Sequence, residues 1–180
     1  LPKLGRELSK GQRRRVQIAV GFLTRPRVFL FDEPFDGLDV QQANDLGAVM
    51  SDAAREMGLF VSSHRMDVVE RLSDQVIVLK QGEVLTAGPL ESVCQTLCEQ
   101  SVVITLAENT DLHIAEIAQA LRRDYPHCLI HHMGTQLVVS GRNITPTDIV
   151  ALLSRSGAAA LHFESVRPSL IDAMNYHLKH

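Results

Sequence analysis

Two adjacent carboxylates, Asp32 and Glu33, follow the apolar run Val28–Phe31 and precede Pro34. A continuous apolar run of this length is typical of a strand buried on both faces of a parallel sheet, which places both acids at the carboxyl end of that strand. In nucleotide hydrolases the first carboxylate of such a pair can hold Mg²⁺ through its water shell, and the second can polarise the attacking water. Because acids often finish strands, an isolated Asp-Glu pair also fits a purely structural role.

His64 ends a second apolar run, LFVSSH. The carboxyl ends of parallel strands meet at one edge of a sheet, so the sequence predicts His64 on the same edge as Asp32 and Glu33. A histidine there could hydrogen-bond a terminal phosphate and keep a water molecule in register with Glu33. The alternative is an ordinary structural histidine.

A turn with phosphate-binding chemistry lies near the amino end, in the stretch LSKGQRRR from Leu8 to Arg15. A serine followed by a glycine at a helix amino terminus offers a hydroxyl, exposed backbone N–H groups and the positive end of the helix dipole to one anion. Taken alone, Ser9 also fits an ordinary helix cap, and residues 13–15 also fit a solvated helix face.

Hydrophobic periodicity places these stretches on an alternating α/β framework. The first helix, from Gly11 to about Thr24, should pack through Val16, Ala19, Val20 and Leu23. The further predicted elements are the strand Val28–Phe31, a helix from the capping pair Asp39 and Gln42 to Gly58, the strand LFVSSH, a helix over Met66–Leu72, and the strands QVIVLK and EVLTAG joined at Gln81-Gly82.

Beyond Gly88-Pro89 the pattern changes. The predicted elements are a connecting helix over Leu90–Glu99, a strand over Val102–Leu106, a helix over Ile114–Arg123, two strands meeting at Gly134, a helix over Thr147–Arg155, the strand ALHFESV and a last helix from Ser169. After the connecting helix the order is β-α-β-β-α-β, so we predict a small α+β ferredoxin-like domain.

Composition excludes several classes of protein. The net charge of −3 argues against a nucleic-acid-binding protein. No apolar run approaches the roughly 20 residues that span a bilayer. Three cysteines at irregular spacing, Cys94, Cys98 and Cys128, favour reduced thiols in a reducing compartment over a disulfide framework.

A group of metal-binding residue types lies in the second half, at His127, Cys128, His131 and His132. Alternation along a strand sends His131 and His132 to opposite faces of the sheet. We therefore favour surface histidines over a metal site there.

Four motifs in order, LSKGQ, VFLFDEP, FDGLD and SSH, resemble the carboxyl-terminal half of the ATP-binding subunit of ABC transporters, a P-loop NTPase. The resemblance covers about the first half of the chain. It implies ATP and Mg²⁺ as cofactors, with Asp32 as the Mg²⁺ residue, Glu33 as the catalytic base, His64 as the switch histidine and Asp39 as the D-loop acid.

The resemblance also implies that Ser9, Gly11 and Gln12 are signature residues that contact ATP. Lys10 replaces the family's usual glycine, and a lysine beside a phosphate is electrostatically acceptable. We therefore expect an altered affinity for ATP and retained function.

The phosphate-loop pattern G-x-x-x-x-G-K-[ST] does not occur in the sequence. In ABC ATPases the signature loop of one subunit closes over ATP held by the phosphate loop of the other. We therefore expect that a preceding segment has been cut away or belongs to another chain, and that this chain alone does not turn over ATP.

The closing stretch RPSLIDAM is similar to the ending of many exporter-type ABC ATPases that carry an extra carboxyl-terminal domain. We expect residues 1–88 to be the carboxyl-terminal part of the ABC ATPase domain, 89–100 a connecting helix and 101–180 the ferredoxin-like domain, with a regulatory or dimer-stabilising role.

Our first hypothesis is an ATP-hydrolysing subunit of an exporter on the cytoplasmic face of a membrane. Its expected partners are transmembrane transporter subunits and a second ATPase subunit, as a homodimer or a pair. The alternatives are a truncated, non-catalytic interaction or regulatory protein and a soluble ABC ATPase of translation or DNA repair, which the charge balance disfavours.

Overall fold

The computed structural model describes residues 8–107, 114–155 and 160–179, and its architecture is mixed α/β. The chain divides into two compact units, Leu1–Leu72 and Ser73–His180. The first unit contains α1 (Lys10–Leu23), β1 (Val28–Asp32), α2 (Val40–Ala53), β2 (Gly58–Ser62) and α3 (Met66–Leu72). Each of these elements was predicted, and the main difference in length is that α2 ends at Ala53.

The packing face of α1 differs from the predicted one. Val16, Val20 and Leu23 are exposed, at 51%, 56% and 81%, whereas Ile18 is buried. Phe22 packs against the rings of Phe29 and Phe31 on β1, at centroid distances of 5.5 and 5.7 Å. The aromatic contacts therefore turn the Ile18 side of the helix inward, and the prediction from the valine stripe was wrong.

Strands β1 and β2 pair in parallel, with Val28 opposite Gly58 and Asp32 opposite Ser62. Helix α2 buries Ala43, Leu46, Gly47 and Met50, as its predicted apolar stripe requires. The sheet is not buried on both faces, however, because Leu30 is 72% exposed and Phe60 is 56% exposed. The expectation of a two-sided burial was wrong for β1, since the helices cover only the face that carries Phe31.

The second unit begins with the antiparallel hairpin β3 (Gln75–Lys80) and β4 (Glu83–Pro89), followed by α4 (Leu90–Leu97). The predicted turn is present, with left-handed backbone at Gln81 (φ +55°) and Gly82 (φ +83°). The hairpin belongs to the second compact unit. A hydrogen bond from the Leu90 N–H to the Asp74 carbonyl, 3.1 Å, ties the start of α4 to the start of β3.

The remaining elements are β5 (Gln100–Leu106), α5 (Ile114–Asp124), β6 (Leu129–Met133), β7 (Gln136–Gly141), α6 (Pro146–Arg155), β8 (Ala160–Val166) and α7 (Leu170–Lys179). The four strands form an antiparallel sheet in the order β6-β7-β5-β8. One face of the sheet packs on α5 and α6 through a core that includes Val102, Ile104, Leu121 and Leu137. Cys94, Cys98 and Cys128 are buried in this unit, and none of the three forms a disulfide within the described residues.

Among the helices of the described ranges, none combines the length and apolar character needed to cross a membrane.

Candidate functional site

The carboxyl ends of β1 and β2 form one hydrogen-bonded cluster. The Ser62 hydroxyl donates to Asp32 Oδ1 at 2.6 Å. The backbone N–H of Glu33 lies 3.1 Å from both the Ser62 carbonyl oxygen and Ser62 Oγ, which accept from it. Parallel pairing with no register shift therefore brings the two predicted acids to Ser62, whose role the sequence analysis did not identify.

Glu33 adopts left-handed backbone, with φ at +46°. This conformation is uncommon for a residue with a Cβ atom and is costly unless its surroundings hold it. The carboxylate lies beside His64, with 3.0 Å between Glu33 Oε2 and His64 Nδ1. The structure therefore places the predicted base and the predicted switch histidine in direct contact.

The Glu33 carboxylate and the His64 ring are close enough for an ion pair, but their contact lacks the geometry of a hydrogen bond. Glu33 Oε2 is a buried atom with no hydrogen-bond partner among the described residues, although Nδ1 of the His64 ring is close. The His64 side chain is 70% exposed, so its ring is open to a ligand from solvent. A carboxylate oxygen held in this way retains lone pairs for an incoming water or hydroxyl proton.

Asp32 has the donor chemistry that Mg²⁺ requires. Its side chain is exposed, and the contact of Oδ1 with the Ser62 hydroxyl uses one of the lone-pair positions of the carboxylate. Mg²⁺ prefers one or two carboxylate oxygens together with water and phosphate oxygens. The residues at this edge of the sheet therefore fit the cation that the ABC resemblance implies.

The start of α1 is a complete capping box. The Ser9 hydroxyl accepts from the Gln12 N–H at 3.2 Å, and the Gln12 side chain accepts from the Ser9 N–H at 3.1 Å. Both predicted ligand residues thus have a structural role at the helix terminus. Lys10 opens the helix, and its side chain lies outside the described part of the structure.

Gly11 is buried against the segment that leads into α2. A Cβ atom at this position would lie 3.2 Å from Gln42 Oε1 and 3.3 Å from Leu38 Cδ2, which is tighter than ordinary packing. Asp39 caps α2 by accepting from the Gln42 N–H at 2.8 Å. The predicted signature glycine and the predicted D-loop segment are therefore neighbours.

Arg14 joins α1 to the end of β1, and the sequence analysis missed it. Its Nη2 donates to the backbone carbonyls of both Asp32 and Glu33, the latter at 2.6 Å. The signal lay in helical spacing, because Arg14 shares a face with Gly11 and Ile18, three residues before it and four after, and both are buried.

The histidines of the second unit do not form a metal site among the residues that the structure describes. His131 lies on β6 with its Nδ1 atom 3.7 Å from Asp172 Oδ1. Its neighbour His132 is exposed and pairs opposite Leu137, as strand alternation requires.

Comparison with known proteins finds similarity to ATP-binding proteins of ABC transporters. The sequence profile described as ABC transporter matches residues 1–36. An uncharacterised ABC transporter ATP-binding protein of Methanocaldococcus jannaschii is 34% identical over 93 residues, which cover 51% of this chain and 36% of that protein.

Two further relatives carry more specific names. The molybdenum import ATP-binding protein ModC of Shewanella oneidensis is 35% identical over 138 residues, covering 75% of this chain and 38% of ModC. The nickel import ATP-binding protein NikO of Rhodobacter capsulatus is 41% identical over 90 residues, covering 48% of this chain and 35% of NikO. The chain thus spans between a third and two fifths of the length of these relatives, all of which are named as ATP-binding proteins.

Proposed function

We infer that this chain is part of the ATP-binding subunit of an ABC transporter, a P-loop ATPase, and propose that its first unit supplies hydrolytic residues of that subunit. The observation that carries the proposal is the cluster at the ends of β1 and β2, where Glu33 lies 3.0 Å from His64 and Asp32 shares Ser62 with the Glu33 backbone. Two carboxylates and a histidine at one sheet edge provide a cation ligand, a proton acceptor and a phosphate partner.

Each residue has one part in the proposed reaction. Asp32 holds Mg²⁺, which neutralises charge on the phosphate oxygens when it is bound. Glu33 accepts the proton of the attacking water through Oε2, the buried oxygen for which the described part of the chain provides no hydrogen-bond partner. His64 hydrogen-bonds the terminal phosphate and keeps Glu33 oriented through their contact.

A complete site needs a phosphate loop, and G-x-x-x-x-G-K-[ST] is absent from these 180 residues. We propose that Ser9, Lys10, Gly11 and Gln12 close over ATP bound by another ATPase subunit, with Asp39 near the same boundary. The partners are then a second ATPase subunit, in a homodimer or a pair, and the transmembrane subunits of the transporter. The polypeptide of this sequence by itself should not hydrolyse ATP.

The names of the relatives bear on the direction of transport. The ending RPSLIDAM predicted an exporter, whereas ModC and NikO are named import proteins. We therefore propose an importer, with the subunit on the cytoplasmic face of its membrane.

The second unit is proposed to contain a ferredoxin-like domain with a regulatory or dimer-stabilising role, over residues 101–180 and preceded by the connecting helix. The element order β5-α5-β6-β7-α6-β8 and the antiparallel strand order β6-β7-β5-β8 support this assignment. The alignment with ModC covers 138 residues, more than the 72 of the first unit, so the similarity extends into the second.

A non-catalytic ABC-type interaction protein is the second candidate, favoured by the missing phosphate-loop pattern. The intact mass of the native protein from its source cells separates the two candidates. A longer polypeptide that yields a phosphate-loop peptide on digestion supports the ATPase, whereas a mass equal to that of these residues supports the interaction protein.

The central experiment is Glu33→Gln in the native subunit with its ATPase partner. Loss of the proton acceptor should lower the rate of ATP hydrolysis by about 100-fold or more. ATP-dependent pairing of the two ATPase subunits should persist, because the amide keeps the shape of the side chain. Size-exclusion chromatography measures this pairing. Glu56→Gln, at an exposed position beyond α2, is the matched control. Turnover that survives Glu33→Gln would exclude Glu33 as the base.

A further inference from the structure

We propose that Arg14 is a positioning residue that holds the Asp32–Glu33 turn in the conformation needed for hydrolysis. The inference rests on the proposed function, because it assigns to α1 the control of the base that acts at the end of β1. Arg14 itself would contact neither ATP nor the attacking water molecule. Its effect would pass through the backbone of the two acids.

The geometry links one guanidinium group to two consecutive peptide units. Arg14 Nη2 donates to the Asp32 carbonyl and, at 2.6 Å, to the Glu33 carbonyl. One nitrogen between two carbonyl oxygens limits the rotation of the intervening peptide planes, because rotation of either plane breaks a charge-assisted hydrogen bond. The side chain is half-buried, so these bonds are partly protected from water.

The backbone at Glu33 needs such support. Left-handed backbone, here with φ at +46°, is unfavourable for a residue with a Cβ atom relative to the right-handed region. The Glu33 N–H is bonded to Ser62 on one side, and Arg14 bonds the two carbonyls on the other. Loss of the two Arg14 hydrogen bonds would let the φ angle of Glu33 relax to negative values. The Glu33 carboxylate would then turn away from His64.

Lysine could not replace this arrangement. The rigid, weakly hydrated guanidinium plane fixes the position of Nη2 between the two carbonyl oxygens, whereas an ammonium group is a compact, strongly hydrated point charge on a flexible stem. Arg14→Lys therefore keeps the positive charge of the cleft, lined by Arg13, Arg14, Gln17 and Asp36, and removes the double contact. Arg14→Lys keeps the charge and loses the hydrogen-bond geometry, whereas Arg14→Met loses both. Comparing the two variants therefore separates the effect of charge from that of geometry.

The first test measures the turn directly and needs no ATP. Hydrogen exchange at the Glu33 amide, in the native subunit, should speed up by at least about tenfold in both Arg14 variants, because the turn opens more often. Arg55→Met, at an exposed arginine whose side chain is 81% accessible, should leave that rate unchanged. An unchanged exchange rate in folded Arg14→Met would overturn the proposal.

The second test measures turnover in the native subunit with its ATPase partner. Both Arg14 variants should lower kcat for ATP hydrolysis by about 100-fold, since a displaced base loses its alignment, while KM for ATP changes by less than about threefold. A raised KM with unchanged kcat would overturn the proposal.

Failure of this inference can be told apart from failure of the proposed function. If Glu33→Gln retains turnover, the proposed function fails, and the exchange test still decides whether Arg14 holds the turn. If Glu33→Gln abolishes turnover while folded Arg14→Lys and Arg14→Met retain wild-type kcat, only the positioning role fails. Should Arg14→Met not fold, as judged by circular dichroism, Arg14→Lys alone decides both measurements.

Discussion

The Ser9 hydroxyl lies at the first turn of α1, where a helix cap and a phosphate ligand need the same atom. The capping box with Gln12 explains Ser9 without any ligand. The ABC resemblance implies a second role for Ser9, as a residue that contacts ATP. Substitutions that keep the cap and change the charge can separate the two roles.

Ser9→Asp should keep the stability of the subunit and weaken its use of ATP. Aspartate caps a helix about as well as serine, so the melting temperature should stay within about 2 °C. A carboxylate facing the phosphates of ATP should raise the KM for ATP by at least about tenfold, because like charges repel at short range. Both quantities are measured in the native protein with its ATPase partner.

The control for this prediction is Ser169→Ala at the start of α7. Ser169 accepts from the Asp172 N–H at 3.0 Å, so its loss should cost about 1 kcal/mol of capping energy without any change in KM for ATP. A Ser9→Asp protein with unchanged KM would show that Ser9 is a cap and nothing more.

Residue patterns predicted the acids and the histidine and missed the side chains that hold them. Asp32, Glu33 and His64 end apolar runs, which is visible in the sequence. Arg14 contacts the backbone carbonyls of both acids, and Ser62 contacts the Asp32 carboxylate and the Glu33 N–H. The Arg14 contact depends on the rotation of α1, and the Ser62 contact depends on strand register. Arg14, the middle one of three consecutive arginines, turns inward because the aromatic contacts of Phe22 set the rotation of helix α1.

At the scale of elements, α1 shows why periodicity alone can choose the wrong helix face. Two apolar stripes run along this helix, one through Val16 and Val20 and the other through Ile18 and Phe22. Hydrophobicity does not distinguish them. The T-shaped contact of Phe22 with Phe29, at 82° between ring planes, belongs to the second stripe and lies in the packed first core.

Gly21→Ala tests that packing. A Cβ atom at Gly21 would lie 2.0 Å from Phe29 Cζ, so the ring must move and the Phe22–Phe29–Phe31 contacts must change. We expect a net loss of about 1–3 kcal/mol in the free energy of unfolding, because overpacking outweighs the gain in helix propensity. Urea denaturation followed by circular dichroism measures the loss.

The matched control is Gly58→Ala at the start of β2. There a Cβ atom would lie 3.5 Å from Val28 Cγ2, an ordinary contact, so stability should change by less than about 0.5 kcal/mol. Equal stability of Gly21→Ala and Gly58→Ala would contradict the placement of α1 on the Phe29 side of β1.

At the scale of the whole molecule, each compact unit has its own core. The first core holds Phe31, Phe35 and Leu46 beneath a two-stranded sheet whose other face is exposed. The second core lies between one face of the four-stranded sheet and the helices α5 and α6, and its Ile104 and Leu137 are fully buried. The element order of both units followed from sequence periodicity. The exposed face of β1 did not, because an apolar run does not reveal which of its faces a neighbour covers.

The two cores predict two steps in the unfolding of the 180-residue chain by urea. A two-stranded sheet with one open face should lose its structure at a lower urea concentration than the four-stranded sheet. The circular dichroism signal should therefore show a first decrease in which Cys94, Cys98 and Cys128 stay buried, because all three lie in the second unit. They should become accessible only in the second step.

Thiol labelling at pH 8 reports the second step selectively. Burial raises the pKa of Cys98 to about 11 and raises the pKa of Cys128 above its ordinary value, so both stay as unreactive thiols until the second unit opens. Leu137→Ala, which removes a fully buried side chain from that unit, should lower the urea midpoint of labelling by about 1 M or more. It should leave the first decrease in circular dichroism in place, because Leu137 belongs to the second core. Labelling that coincides with the first decrease in circular dichroism would mean that the two cores unfold as one cooperative unit.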